Sequence, residues 1–65
     1  SKLSVVDGNF VVESDNATSV AVYNLAGQKV AEAAFAGKAT VPAADFAKGV
    51  YVVKFNDNTV VKVAK

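Results

Sequence analysis

The stretch GVYVVKFNDNTVVKVAK, Gly49 to Lys65, holds two runs of β-branched residues joined by Asn56-Asp57-Asn58. Alternation of apolar and other residues marks both runs as strands, and the Asn/Asp cluster marks a hairpin turn between them. Two registers compete. A two-residue loop at Asp57-Asn58 pairs Val53 with Lys62 and places that lysine on the core side. A three-residue loop opposes Phe55 with Thr59, Val53 with Val61 and Tyr51 with Val63, and keeps the lysines outward. Three-residue loops need one left-handed residue, which Asn and Asp tolerate. A one-residue slip would turn the whole strand over, so the three-residue loop is the expected one.

The same period of two runs back through the chain. Asp7-Gly8 is a strong two-residue hairpin signal, since both central positions must accept positive φ. It predicts a hairpin of residues 2–6 and 9–14, with Leu3 facing Val12 and Val5 facing Phe10 on one side. SDNATS (Ser14–Ser19) is a polar turn before the strand SVAVYN, and NLAGQ ends that strand with Gly27 in the turn. QKVAEAAF alternates poorly. Val30 and Ala34 fit one face, and Ala31, Ala33 and Phe35 the other. Residues 30–36 therefore read as a strand with a β-bulge near Glu32, with a short helix as the alternative. KATV is a fifth strand. PAADFAKG reads as a single helical turn or compact loop whose Phe46 plugs one end of the core, and Gly49 opens the next strand. The expectation is an all-β fold: a seven-stranded antiparallel Ig-like β-sandwich.

Composition bounds the rest. Sixty-five residues form one domain (1–65), near the lower limit for an unaided core. There is no cysteine to staple it. There is no histidine, and the six carboxylates are scattered, so no metal or cofactor is expected. Apolar residues make up 52%, generous for so small a chain, which points both to an unusually efficient core and to some apolar surface covered by a partner. Net charge is +1 and all seven cations are lysine, without the clustered arginine and stacking aromatics of a nucleic-acid binder. No apolar run reaches the roughly 18 residues of a membrane helix, and no charged-then-apolar leader is seen. The chain opens on Ser1 without methionine, so we expect a C-terminal piece excised from a larger protein.

Nothing in the chain assembles catalysis. The serines, Ser1, Ser4, Ser14 and Ser19, lie near turns or the terminus, and no spacing brings a lysine to one of them. A domain this small has little room for two converging carboxylates. We expect no enzyme. Gly27 stands alone, without a phosphate-binding pattern, and reads as a turn glycine. Asn16-Ala17-Thr18 matches a glycosylation triplet but reads as an ordinary turn. Lys54, Lys62 and Lys65 alternate with apolar residues on the last two strands. They make a basic stripe that either meets an acidic receptor surface or discourages edge pairing. An exposed valine-rich edge also favours a homodimer, by strand pairing or exchange.

The ordered set VAVYNLAGQKV, GVYVVKF and a terminal VVKVAK resembles the C-terminal sorting domain of the type IX, or Por, secretion system. The family shape is an apolar-x-V-Y-[ND]-x-x-G-[RQ]-x-V segment, a loop with a Leu- or Phe-like plug, a G-x-Y strand and a lysine-bearing last strand. Tyr23-Asn24-Leu25-Ala26-Gly27-Gln28-Lys29-Val30 matches the first element. Phe46 takes the plug position, Gly49-Val50-Tyr51 matches the third element, and Lys62-Val63-Ala64-Lys65 the last. The resemblance covers nearly the whole chain. The alanine-rich VAEAAFAGKAT is smaller-sided than the family's usual fourth strand.

The resemblance implies a secretion address at the end of an exported cargo. Cargo and domain would cross the periplasm, be recognised by the outer-membrane translocon, and be parted by a sortase-like protease as the cargo is fixed at the cell surface. Within it, Gly27, Gly49, Tyr51 and Phe46 would be structural, and Lys54, Lys62, Val63 and Lys65 the partner-recognition residues. The competing function is a structural Ig-like spacer or a carbohydrate-binding module of a surface protein, with Tyr23 as its one candidate stacking ring.

Overall fold

At Asp7-Gly8 the backbone takes φ of 53° and 79°, the left-handed pair that a two-residue hairpin turn requires. In the computed structural model, which describes residues 1–65, the flanking strands β1 (Lys2–Val6) and β2 (Asn9–Glu13) pair with Leu3 opposite Val12 and Val5 opposite Phe10. β3 (Ser19–Tyr23), β4 (Lys29–Ala34), β5 (Lys38–Val41), β6 (Val50–Phe55) and β7 (Val60–Ala64) follow. The chain is all-β, with seven strands and no helix. It therefore has no helix long and apolar enough to cross a membrane.

The strands form two antiparallel sheets, one ordered β1-β2-β5 and the other β4-β3-β6-β7. One core joins them. Phe10, Val12 and Val41 come from the three-stranded sheet, and Val20, Val22, Tyr51, Val53 and Phe55 from the other. Ala17 and Ala43 are buried with them from the loops. The period of two explains the selection, because every second residue of β2, β3 and β6 is buried. Only 11 of 65 residues are buried, so each large core side chain carries a sizeable share of the apolar stabilisation. Val5 lies on the core side of β1 but at the sheet edge, where 44% of it stays exposed.

The last hairpin has the expected three-residue register. Val53 opposes Val61 and Tyr51 opposes Val63, and the Phe55 amide donates to the Thr59 carbonyl at 2.9 Å. Asn58, at φ 73°, is the left-handed residue the loop needs. β4 is a strand throughout, and its irregularity falls at Val30 rather than near Glu32. Val22 pairs with Ala31 while Tyr23 pairs with Lys29, leaving Val30 as the extra residue. This keeps Ala31, Ala33 and Phe35 packed against the core. Residues 42–49 form the compact loop, whose single turn is closed by the Phe46 amide on the Ala43 carbonyl at 3.0 Å.

The two chain ends lie at opposite ends of β6. The Ser1 hydroxyl donates to the Asp57 carboxylate beside the β6–β7 turn, and shares a 2.8 Å hydrogen bond with the Ser14 hydroxyl. The Ser1 hydroxyl, followed by Thr59, holds the Asp57 carboxyl down at about 2, below the usual carboxylate range. Lys65 pairs with Gly49 at the other end, with its amide donating to the Gly49 carbonyl at 2.7 Å.

Candidate functional site

The partner-recognition candidates come from the last two strands, and strand parity divides them. Lys62 sits opposite Val52, and Lys54 lies between Ala21 on β3 and Val60 on β7. Both lysines are exposed on the outer side of the four-stranded sheet. Neither forms an ion pair, the Lys29–Glu32 bridge at 3.1 Å being the chain's only one. Val63 faces the other way. It opposes Tyr51, is half-buried and packs on the core.

Lys65 corrects the expected stripe of three. It shares the inward parity of Val61 and Val63, but the core ends beneath it and its ammonium turns into the 42–49 loop. There it donates to the Phe46 carbonyl at 2.8 Å and to the Ala44 carbonyl at 3.2 Å. The outward stripe contains Lys54 and Lys62 alone.

The same loop holds the plug. The Phe46 ring stands 6.2 Å from Phe10 and 5.4 Å from Tyr51, and Phe10 and Tyr51 are 6.0 Å apart, an aromatic trio closing one end of the core. The Tyr51 hydroxyl donates to the Ala47 carbonyl, and the Ala43 amide donates to Asn9 Oδ1 at 3.1 Å. Side chains of Asn9, Tyr51 and Lys65 thus fasten a loop that has no regular structure of its own. Lys65→Met keeps the apolar stem and removes the two carbonyl contacts, at an expected cost of about 1–2 kcal/mol. Faster exchange of the Phe46 amide is the expected readout. Unchanged protection of that amide would mean Lys65 does not hold the loop.

Gly49, at φ 151°, lets the chain leave the plug loop and enter β6. Gly27, at φ 86°, closes the β3–β4 turn with its amide on the Asn24 carbonyl at 3.0 Å. Asn24 Oδ1 accepts the Gln28 amide at 3.0 Å, and Asn24 Nδ2 donates to Gln28 Oε1 at 2.9 Å. Asn24, Gly27 and Gln28 of the quoted motif are therefore turn-builders. Ser14 is one too, since its buried oxygen accepts the Ala17 amide at 2.9 Å and the Asn16 amide at 3.2 Å. A hydroxyl so engaged is a structural acceptor. Tyr23 is half-buried on the outer face, and the Lys54 ammonium lies 5.1 Å from its ring centroid. The remaining aromatic rings pack in or against the core, so no row of open rings forms a sugar platform.

The strand order thus delivers a turn-defined frame, a plug at one end, and two unpaired cations on the face of its last two strands. The family of secretion-system C-terminal sorting domains matches residues 6–65. The chain belongs to this family. No curated protein and no solved structure matched it. The match spans every strand, with β1 represented only by Val6. As a type IX sorting domain the chain belongs with secreted or cell-surface proteins, in a family of sorting signals rather than enzymes. Sequence inspection missed the fastening of the sorting domain's plug loop. Its signals, Asn9, Tyr51 and Lys65, are separated in sequence and meet only through the fold.

Proposed function

We propose that this sorting domain is the C-terminal secretion address of a larger cargo, read in its folded form. The cargo precedes residue 1 in the same chain and is carried through the periplasm to the outer-membrane translocon. There a sortase-like protease separates cargo from domain as the cargo is fixed at the surface. The domain acts by being bound, and residues 1–65 work as one unit of Ig-like sandwich plan. The family match carries this reading, and the placement of Lys54 and Lys62, both exposed and without carboxylate partners, supports it. These two lysines make direct contacts. Val63 and Lys65 serve recognition by holding β7 and the plug loop in shape. The unpaired edge of β7 also favours pairing of two copies at high concentration.

The test is transfer of the address. Residues 1–65 are fused to the C-terminus of a passenger that is otherwise retained in the periplasm of a type IX-secreting bacterium. The fusion is expected on the cell surface or in the medium, with the domain removed. Retention of a fusion whose sorting domain is protease-resistant, and so folded, would end the proposal.

A further inference from the structure

The two sheets turn very different outer faces to solvent. On the three-stranded sheet the outward positions are Lys2, Ser4 and Val6 of β1, Asn9, Val11 and Glu13 of β2, and Lys38 and Thr40 of β5. That is the mixed polar face expected of an antiparallel sheet in water. On β6 and β7 of the other sheet the outward positions are Val50, Val52, Lys54, Val60, Lys62 and Ala64. Four of these six are apolar. Val60 is 57% exposed and Val50 38%. Beside this ridge lies a hollow of about 510 Å³, bordered by Ser19, Ala21, Glu32, Ala34, Lys54 and Asn56. Ala21 sits between Glu32 and Lys54 in the cross-strand register, so a short side chain separates two long ones. The shape is an open depression next to an apolar ridge.

Charge names the occupant. Lys29, Lys54 and Lys62 against Glu32 give the face a net charge of +2, three cations less one anion. Glu32 is already engaged by Lys29, which leaves Lys54 and Lys62 without opposite charge. A surface with an apolar centre and unpaired cations fits a protein carrying carboxylates around a protruding apolar side chain. Two lysines fall short of the clusters of roughly 4–8 basic residues that hold anionic lipid.

We propose that the outer face of the four-stranded sheet, from the Ala21 hollow to the Val50–Val60 ridge, seats an acidic protein partner whose apolar side chain enters the hollow. This rests on the sorting reading and assigns that reading its contact surface.

The test uses the complete cargo-bearing chain in the secreting bacterium. Lys54→Glu with Lys62→Glu reverses the charge, Ala21→Leu fills the hollow, and Thr40→Glu on the other sheet is the control. Protease resistance checks that each domain is folded. The charge reversal and Ala21→Leu are each expected to reduce exported cargo about tenfold, with Thr40→Glu unchanged. A photo-crosslinking residue at Val52 is expected to capture an envelope protein whose crosslinked peptides are rich in Asp and Glu, and one at Thr40 to capture none. If the charge reversal unfolds the domain, Ala21→Leu and the crosslinks decide.

Wild-type export by folded charge-reversed and Ala21→Leu variants overturns the proposal. So does binding of the purified chain to vesicles of equal phosphatidylcholine and phosphatidylglycerol that the charge reversal abolishes, since the face would then be lipid-binding. A concentration-dependent dimer lost in the same variants overturns it in favour of a second copy. The two readings fail differently. Export of cargo lacking Val60–Lys65 defeats the sorting function itself, whereas blocked export of that truncation with normal export of the face variants defeats only the surface assignment.

Discussion

Deleting Val60–Lys65 is expected to unfold the domain and to leave any cargo fused ahead of it inside the outer membrane, with the cargo's own fold intact. Val61 and Val63 are the half-buried side chains that cover Val53 and Tyr51 from β7. Their loss removes roughly 1 kcal/mol each of apolar burial. The deletion also unpairs one whole side of β6 and takes away the two Lys65 contacts that pin the plug loop. At about 1 kcal/mol per net hydrogen bond, the total is on the order of 5 kcal/mol. A domain of this size rarely has more than about 3–5 kcal/mol in hand. Circular dichroism of the truncated domain should show loss of the β signal, and cell fractionation should find the cargo retained. Surface display of the truncated cargo would refute the sorting role.

Phe10→Ala should be the most damaging single substitution. Phe10 is fully buried and touches both the plug ring of Phe46 and the Tyr51 ring. Truncating a buried Phe costs about 3–5 kcal/mol, and here it opens a cavity beneath the plug as well. That is comparable to the whole expected stability, so the variant should be largely unfolded at 25 °C in urea titrations extrapolated to water. Val6→Ala, at an outward position 49% exposed, should stay within about 0.5 kcal/mol of the parent. A Phe10→Ala midpoint as close to the parent as that would mean the core lies elsewhere than this trio.

Much of the frame was legible in the residues because separate signals agreed. At Asp7-Gly8 the turn chemistry and the pairing of Leu3 with Val12 demand the same register. At Asn56–Asn58 the outward placement of Lys62 selects the loop length, and Asn58 supplies the left-handed residue. The bulge in β4 was harder to place. Alanines at 31, 33 and 34 look alike to either face, and what locates Val30 as the extra residue is the pairing of Tyr23 with Lys29. Alternation misplaces Lys65 because it predicts inside and outside only while a core lies beneath the strand. Past Ala64 the inward side is loop, and its carbonyls attract an ammonium.

The apolar outer face escaped notice for a different reason. Val50, Val52 and Val60 look unexceptional one strand at a time. The β6–β7 hairpin puts them on one face, and only the pairing of β3 with β6 sets the Ala21 hollow beside them, a contact between residues some 30 positions apart. The Ser1–Asp57 contact likewise spans nearly the whole chain and leaves no local trace.

Because Ser1 is anchored by the β6–β7 turn and Lys65 by Gly49, the polypeptide enters at one pole and finishes at the other, about 20 Å away along β6 at 3.3 Å per residue. A bulky passenger ahead of Ser1 therefore casts no steric shadow over the plug pole. A partner that reaches the outer face over its Val50 end then approaches from the side opposite the passenger.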